Sequence, residues 1–353
     1  MNDCSSPPGW RPRLVNLLDD FNLGGVSRAL GIFESEVLRA GVRSSIVAVR
    51  PDTLLAEHYD ADIIVLHFPP NWRRLAYVAS LRLRNPQACL IWVEHSYTAA
   101  WARAKVRRRR RFGLLLKLAY RLATRIVSVS EGQAAWLRAG IGRAAGRVEV
   151  IHPYTENPGL ALLAPPLRQP GAPLRIGAYG RFCEQKGLDN LIRAHRAGWM
   201  AGTELVIGGF GEEEALLRGL AGDAPDIHFY GKVTQVAEFL ASCDCVAVPS
   251  RWEAYGMVAN EAREAARPIL VAPVDGLPEQ VGAAGLIVDF TDRASVEAAC
   301  AQLQEADLAA MGLAGRAATR GCAERRAGRW AQLLAGLPLV RRPGHGLAAV
   351  AAG

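Results

Sequence analysis

The sequence predicts an α/β protein made of two doubly wound domains in tandem, and three observations carry that prediction. The chain has 353 residues, more than one ordinary core can serve. Short apolar, β-branched runs alternate with longer helical segments, the pattern of parallel strands covered by helices. A proline-rich break separates two such series.

The first series of strands is Leu14 to Leu17, Ser45 to Val49, Ile63 to Leu66, Leu90 to Val93, Arg125 to Val129 and Val148 to Ile151. Helices fill the gaps, the clearest expected from Gly25 to Ala40. Pro158, Pro165, Pro166, Pro170 and Pro173 then break both periodicities and read as a linker. The second series is Arg175 to Tyr179, Thr203 to Ile207, Asp226 to Phe229, Cys245 to Val248, Pro268 to Val271 and Gly285 to Val288. The expected organisation is a Rossmann-like domain over 1–160, a linker over 161–173, a second Rossmann-like domain over 174–322, a last helix over 323–338 and a loose tail over 339–353. Folds of this kind place ligands at the carboxyl ends of their strands.

Composition narrows the function classes. Half the residues are hydrophobic and 22% are charged, which suits packed cores rather than disorder. The seven cysteines show neither disulfide-framework spacing nor paired CxxC motifs, so they read as reduced thiols in a cytoplasmic protein without structural zinc. Met1 to Trp10 carries Asp3 and two prolines where a secretory signal needs basic residues and an apolar run, so export is not expected. No apolar run reaches the roughly 20 residues of a membrane span, since Lys117 interrupts the best candidate.

The net charge of +8 is concentrated around Arg107 to Arg111, with Arg103, Lys105, Lys117, Arg121 and Arg125 nearby. Phe112, Leu115, Leu116, Ala119 and Leu122 recur there at helical spacing. Two readings stand for 103–125: a basic amphipathic helix on an anionic membrane surface, or a solvated charge run on a helix whose apolar side is core. Nucleic acid is not expected as a partner, because no aromatics interleave the run and no binding motif is present.

The residues that carry chemistry lie at strand-to-helix junctions. Between Pro249 and Val281, Glu253 and Glu261 are separated by seven residues, the first in a loop and the second about one turn inside a helix. At that helix start the N–H groups of Gly256, Met257 and Val258, beside Tyr255, would point at whatever sits there. A diphosphate would satisfy them, with the helix dipole adding ~0.3–1 kcal/mol. Upstream, Gly180-Arg181 to Lys186-Gly187 places two cations in a strand-to-helix loop, where a leaving diphosphate needs fixed positive charge. Gly208-Gly209 opens a second glycine-rich turn beside it.

In the first half, Gly24 and Gly25 follow the first strand and would let the backbone approach a phosphate, without the GxGxxG spacing of a NAD site. His67 and His95 each follow a strand end, and His95 is the better candidate for a sugar contact.

Arg181 with Lys186, Glu253 with Glu261, and Asp275-Gly276-Leu277-Pro278-Glu279 resemble, in order and spacing, the retaining GT-B glycosyltransferases of family 4. The likeness covers roughly 14–335 and is strongest over 175–288. It implies a GT-B fold, two Rossmann-like domains facing across a cleft, and sugar transfer from a nucleotide-sugar donor to a saccharide or lipid-linked saccharide acceptor. It further implies that Arg181 and Lys186 bind the donor diphosphate, Glu261 the ribose and Glu253 the donor sugar. Gly24-Gly25 and His95 then complete the site from the first domain. The last helix, Ala323 to Leu334, crosses back onto that domain, and no metal or other cofactor is expected. The resemblance also marks two departures: the helix after Glu261 reads Ala-Arg-Glu-Ala-Ala-Arg-Pro, and Asp275 replaces the first of a usual glycine pair. A nucleotide-sugar epimerase, a sugar phosphorylase and an inactive glycosyltransferase-like binding protein are the alternatives on the same scaffold.

Overall fold

The computed structural model describes residues 10–19, 30–154, 157–169 and 171–339. Its first half runs β1 (Arg13–Leu18), a 3-10 turn (Leu30–Glu34), α1 (Glu36–Gly41), β2 (Arg43–Ala48), β3 (Ile63–Leu66), α2 (Trp72–Arg84), β4 (Cys89–Glu94), α3 (Ala99–Lys105), α4 (Arg109–Arg121), β5 (Arg125–Ser128), α5 (Glu131–Gly140) and β6 (Val148–Val150). After α6 (Pro158–Ala161) come β7 (Leu174–Arg181), α7 (Leu188–Arg196), β8 (Thr203–Phe210), α8 (Glu214–Ala221), β9 (Ile227–Gly231), α9 (Val236–Ala241) and β10 (Cys245–Val248). The chain continues through α10 (Met257–Glu264), β11 (Ile269–Val271), β12 (Gly285–Ile287), α11 (Arg293–Glu305), α12 (Leu308–Thr319) and α13 (Cys322–Ala335).

Each half builds one parallel sheet. The strand orders are β2-β1-β3-β4-β5-β6 and β12-β11-β10-β7-β8-β9. Strand order reverses between β1 and β3 in the first sheet and between β7 and β10 in the second. Connections there leave to opposite sides, which opens a crevice at the carboxyl ends. Central strands are covered on both faces, so they read as unbroken apolar runs rather than alternating ones. Every residue of β3, β4 and β10 is buried, including Trp92, whose indole N–H donates to the Phe68 carbonyl at 2.9 Å.

Helix starts are fixed by side-chain caps. Asn71, Thr98 and Ser130 each accept the backbone N–H three residues on, at the starts of α2, α3 and α5. Loss of such a cap costs about 1 kcal/mol. One expected helix is broken: of Gly25 to Ala40, residues 25–29 lie outside the described residues, and the rest divides into the 3-10 turn and α1. Ser35, with extended backbone (φ −61, ψ 148), stands before Glu36 and begins a new helix instead of continuing the first.

The last helix belongs to the core of the first domain. Trp330, Leu333 and Leu334 of α13 pack with Leu14, Phe33, Ile63, Val65 and Ile91, and Trp330 meets Phe33 edge-on at 5.1 Å. The tail over 340–353 lies outside the described residues.

Candidate active site

The second sheet's crevice is built by the loops after β7 and β10. Gly187 allows them to touch: its φ is +61, and a Cβ there would come 2.2 Å from the Pro249 carbonyl oxygen. Lys186 is thereby brought against the β10 loop, with Nζ 2.5 Å from Oε2 of Glu253, and the Ser250 hydroxyl donates to the same oxygen at 3.3 Å. Gly180 lies along the Lys186 side chain, since a Cβ on it would be 3.8 Å from Lys186 Cε. The β10 loop is pinned from below by Arg251, which makes a two-pronged contact with Asp189 of α7 at 2.7 Å on each prong. Burial alone would raise the Asp189 pKa, but the Arg251 guanidinium prevails and lowers it.

The start of α10 forms the other wall. Gly256 has φ +96, and a Cβ there would strike Leu277 Cδ2 at 2.5 Å. The buried Gln280 amide donates to the carbonyls of Tyr255 at 2.6 Å and Gly256 at 3.3 Å, which sets the turn into the helix. Among the described residues, the N–H groups of Gly256, Met257 and Val258 meet no acceptor. One turn on, Oε2 of Glu261 accepts from the Tyr179 hydroxyl of β7 at 2.5 Å. Arg181, at the end of β7, is exposed and makes no ion pair among the described residues. The arrangement combines an exposed guanidinium, an ammonium shared with a carboxylate and unfilled helix N–H groups. It can receive a diphosphate.

The remaining expected residues fall in different places. Gly209, one residue before the end of β8, pairs directly with Gly180, and a Cβ on it would lie 1.9 Å from the Gly180 carbonyl oxygen, so close strand packing accounts for that glycine. The Tyr255 ring stacks on His152 at 5.4 Å and packs with Val129, Ala254 and Met257 at the helix start. Gly24 and Gly25 lie outside the described residues.

His67 and His95 meet each other above the first sheet. Asn16 donates through its amide to Ser44 Oγ at 3.0 Å, which leaves Oδ1 to accept from His67 Nε2 at 3.0 Å. His67 Nδ1 then accepts from His95 Nε2 at 3.2 Å, and Nδ1 of His95 remains an acceptor. Burial, then the charges of His95 and Arg326, hold His67 well below the ordinary imidazole range. Desolvation, with Arg326 second, brings His95 down to about 4. Both rings are neutral at pH 7. Among the described residues, no hydrogen bond or ring contact links His95 to the loops bearing Lys186 and Glu253.

Sequence reasoning missed Tyr179 and Ser250, and it passed over Asp275 and Glu279 as parts of a site. Asp275 Oδ1 accepts from Ala100 N at 3.0 Å and Oδ2 from Glu253 N at 3.2 Å. Glu279 Oε2 accepts from Glu131 N at 2.8 Å and Gly132 N at 3.2 Å, at the start of α5. The signal for Asp275 was present: it stands where the resemblance has glycine. Among the described residues, no group of three His, Cys, Asp or Glu side chains is placed to hold a metal ion, and no helix is long and apolar enough to cross a membrane.

Comparison with known proteins divides along the same two halves. A family model described as Glycosyltransferase Family 4 matches residues 24–155, and one described as Glycosyl transferases group 1 matches 173–306. A D-inositol 3-phosphate glycosyltransferase of Mycolicibacterium vanbaalenii is 29% identical over 215 residues, which is 54% of this chain and 47% of the relative. An uncharacterized 41.2 kDa protein in the cps region of Klebsiella pneumoniae is 29% identical over 117 residues, 32% of either chain. The matched stretches thus span a third to a half of these curated relatives. The crystal structure of Anabaena Alr3699/HepE, in complex with UDP and glucose, superposes with a TM-score of 0.70 at 15% identity, covering 93% of this chain and 100% of that one. Two complementary family matches, each falling on one of two facing Rossmann-like domains, place the chain among the GT-B glycosyltransferases of group 1, family 4.

Proposed function

We propose that the chain transfers a sugar from a nucleoside-diphosphate sugar to an acceptor hydroxyl with retention of the anomeric configuration. The observation that carries this reading is the β7–β10 crevice, where the Lys186–Glu253 pair lies beside the start of α10 and Arg181 ends β7. The acceptor oxygen forms the new bond to the anomeric carbon while the bond from that carbon to the diphosphate oxygen breaks. The electron pair leaves with the diphosphate, which takes up the acceptor's proton on the same face. Arg181, Lys186 and the N–H groups of Gly256, Met257 and Val258 stabilise the departing charge. Glu261, oriented by Tyr179, receives the ribose hydroxyls, and Glu253 the donor sugar. His95 offers a neutral Nδ1 acceptor from the first domain. The Anabaena complex makes UDP the first nucleotide to test.

The acceptor belongs, on this reading, to cell-surface polysaccharide or glycolipid assembly. Leu115, Leu116 and Ala119 of α4 are buried in the core, so the face expected to lie on lipid is already covered. What α4 exposes is Leu114 and Leu118 among Arg107 to Arg111, Lys117 and Arg121. That surface suits peripheral contact with an anionic, inner-leaflet membrane.

The test follows nucleoside diphosphate release from UDP-, GDP- and ADP-sugars over saccharide and lipid-linked saccharide acceptors, with product configuration read by NMR. Release that depends on acceptor, with configuration kept, is the expected result. Release without acceptor, or an inverted product, would overturn the proposal. Flotation with anionic and neutral vesicles at low salt tests the membrane part: reversing Arg107 to Arg111 should abolish binding to anionic vesicles, and absence of wild-type binding would end that part.

A further inference from the structure

Helix α3 of the first domain touches both loops that carry the charged residues of the crevice. At its start, Ala100 N donates to Asp275 Oδ1 at 3.0 Å. At its end, Lys105 pairs with Glu184, which opens the turn bearing Lys186, and its ammonium lies 5.3 Å above the Trp252 ring, beside Glu253. The helix is short and hydrogen-bonded, so its two ends move together.

Asp275 makes the less exposed of the two contacts and the more unusual. Its carboxylate is divided between domains, Oδ1 on Ala100 N and Oδ2 on Glu253 N at 3.2 Å. Gly276 N returns a bond to the Glu253 carbonyl at 3.2 Å, so the Glu253 peptide is held on both sides. The turn is wedged into the first domain. A Cβ on Gly132 would come 2.2 Å from the Asp275 carbonyl oxygen, and one on Gly276 would come 2.7 Å from Ser130 Cβ. Asp275 also has φ +46, a left-handed conformation that glycine adopts freely and that other residues hold only under strain. A side chain kept at such a position has contacts that offset the strain, and here both of them are known.

We propose that Asp275 is a positioning residue: it ties docking of the first domain, through α3, to the orientation of Glu253. When the domains separate, Oδ1 loses Ala100 while Oδ2 stays with Glu253, so Glu253 is fully constrained only in the docked arrangement. Its partner Lys186 is constrained from the other end of α3 through Glu184. The chain would therefore assemble its charged pair when the two domains meet. This rests on the transferase reading above for its catalytic consequence and on geometry alone for the coupling.

The experiment compares wild type with Asp275→Gly, which keeps the left-handed turn without strain and should hold or raise the melting temperature. Hydrogen exchange with UDP present reads the coupling: the amides of Ala100 and Glu253 should each exchange about tenfold faster in the variant, as loss of one charge-assisted bond implies. Transfer kinetics read the consequence, with kcat falling by about tenfold while the dissociation constant for UDP, bound within the second domain, stays near wild type. Wild-type exchange at either amide, or faster exchange with unchanged kcat, would overturn the inference. If the wild type transfers no sugar, the proposed function fails, and the exchange result still decides the coupling.

Discussion

The two crevices of this molecule share a topology and differ in electrostatics. At the β7–β10 reversal a half-buried Lys186–Glu253 pair lies beside unfilled helix N–H groups, with an exposed Arg181 at the end of β7. At the β1–β3 reversal, Asn16, His67 and His95 form a line of neutral hydrogen bonds in which Asn16 is fully buried. Parallel sheets place ligands at both points, yet among the described residues the second crevice offers Lys186, Arg181 and unfilled helix N–H groups to an anion, while the first places its neutral line near the single cation Arg326. The first domain offers oriented neutral groups. A donor that leaves as a diphosphate belongs to the former, and the latter suits hydroxyl groups.

The comparison breaks most sharply at the cations. Lys186→Ala should lower kcat by about 10²–10³-fold, the loss expected for one fixed donor to a developing anion, and Arg181→Ala should act alike. Steady-state kinetics check this, and a variant retaining more than half of wild-type kcat would mean the charge is not used. Next in size is Glu261→Gln, which should weaken nucleoside diphosphate binding by about tenfold in calorimetry. Tyr179→Phe should weaken it in the same direction by less, since it removes one hydrogen bond to Glu261 and keeps the carboxylate.

The smallest effect sharpens the first-domain side. His67 and His95 titrate below the ordinary 6.5 in the folded protein, His95 near 4, because burial opposes their charging. Between those values the unfolded chain binds more protons, so stability is full above about 6.5 and falls as pH drops toward 4. Urea unfolding at pH 7.5, 6 and 5 should show that loss, and it should be smaller in His95→Gln. Stability that is flat over this range in the wild type would show the imidazoles are not buried as described.

Much of this was legible in the chain. All the expected strands are found within a few residues, the central ones most plainly because they are covered on both faces and read as apolar runs, unlike the largely exposed edge strand β2. Arg181, Lys186, Glu253 and Glu261 stand out by spacing, and the fold brings Lys186 and Glu253 into contact because β7 and β10 are neighbours in the sheet. The partners were not legible. Tyr179 reaches Glu261 and Ala100 reaches Asp275 only through strand order and domain docking, which local periodicity does not encode. The Asn16–His67–His95 line likewise depends on β1, β3 and β4 lying side by side. Apolar spacing in α4 showed an amphipathic helix but could not say that its apolar face meets the core rather than lipid.

The central claim is that the second domain's reversal point binds the donor nucleotide, and calorimetry tests it most directly. UDP, GDP and ADP would be titrated into wild type, Lys186→Ala and Glu261→Ala, each with and without magnesium. Saturable binding of one nucleotide by the wild type, weakened about tenfold or more in both variants, is the predicted result. Equal binding by the wild type and both variants, or none by a folded wild type, would contradict it.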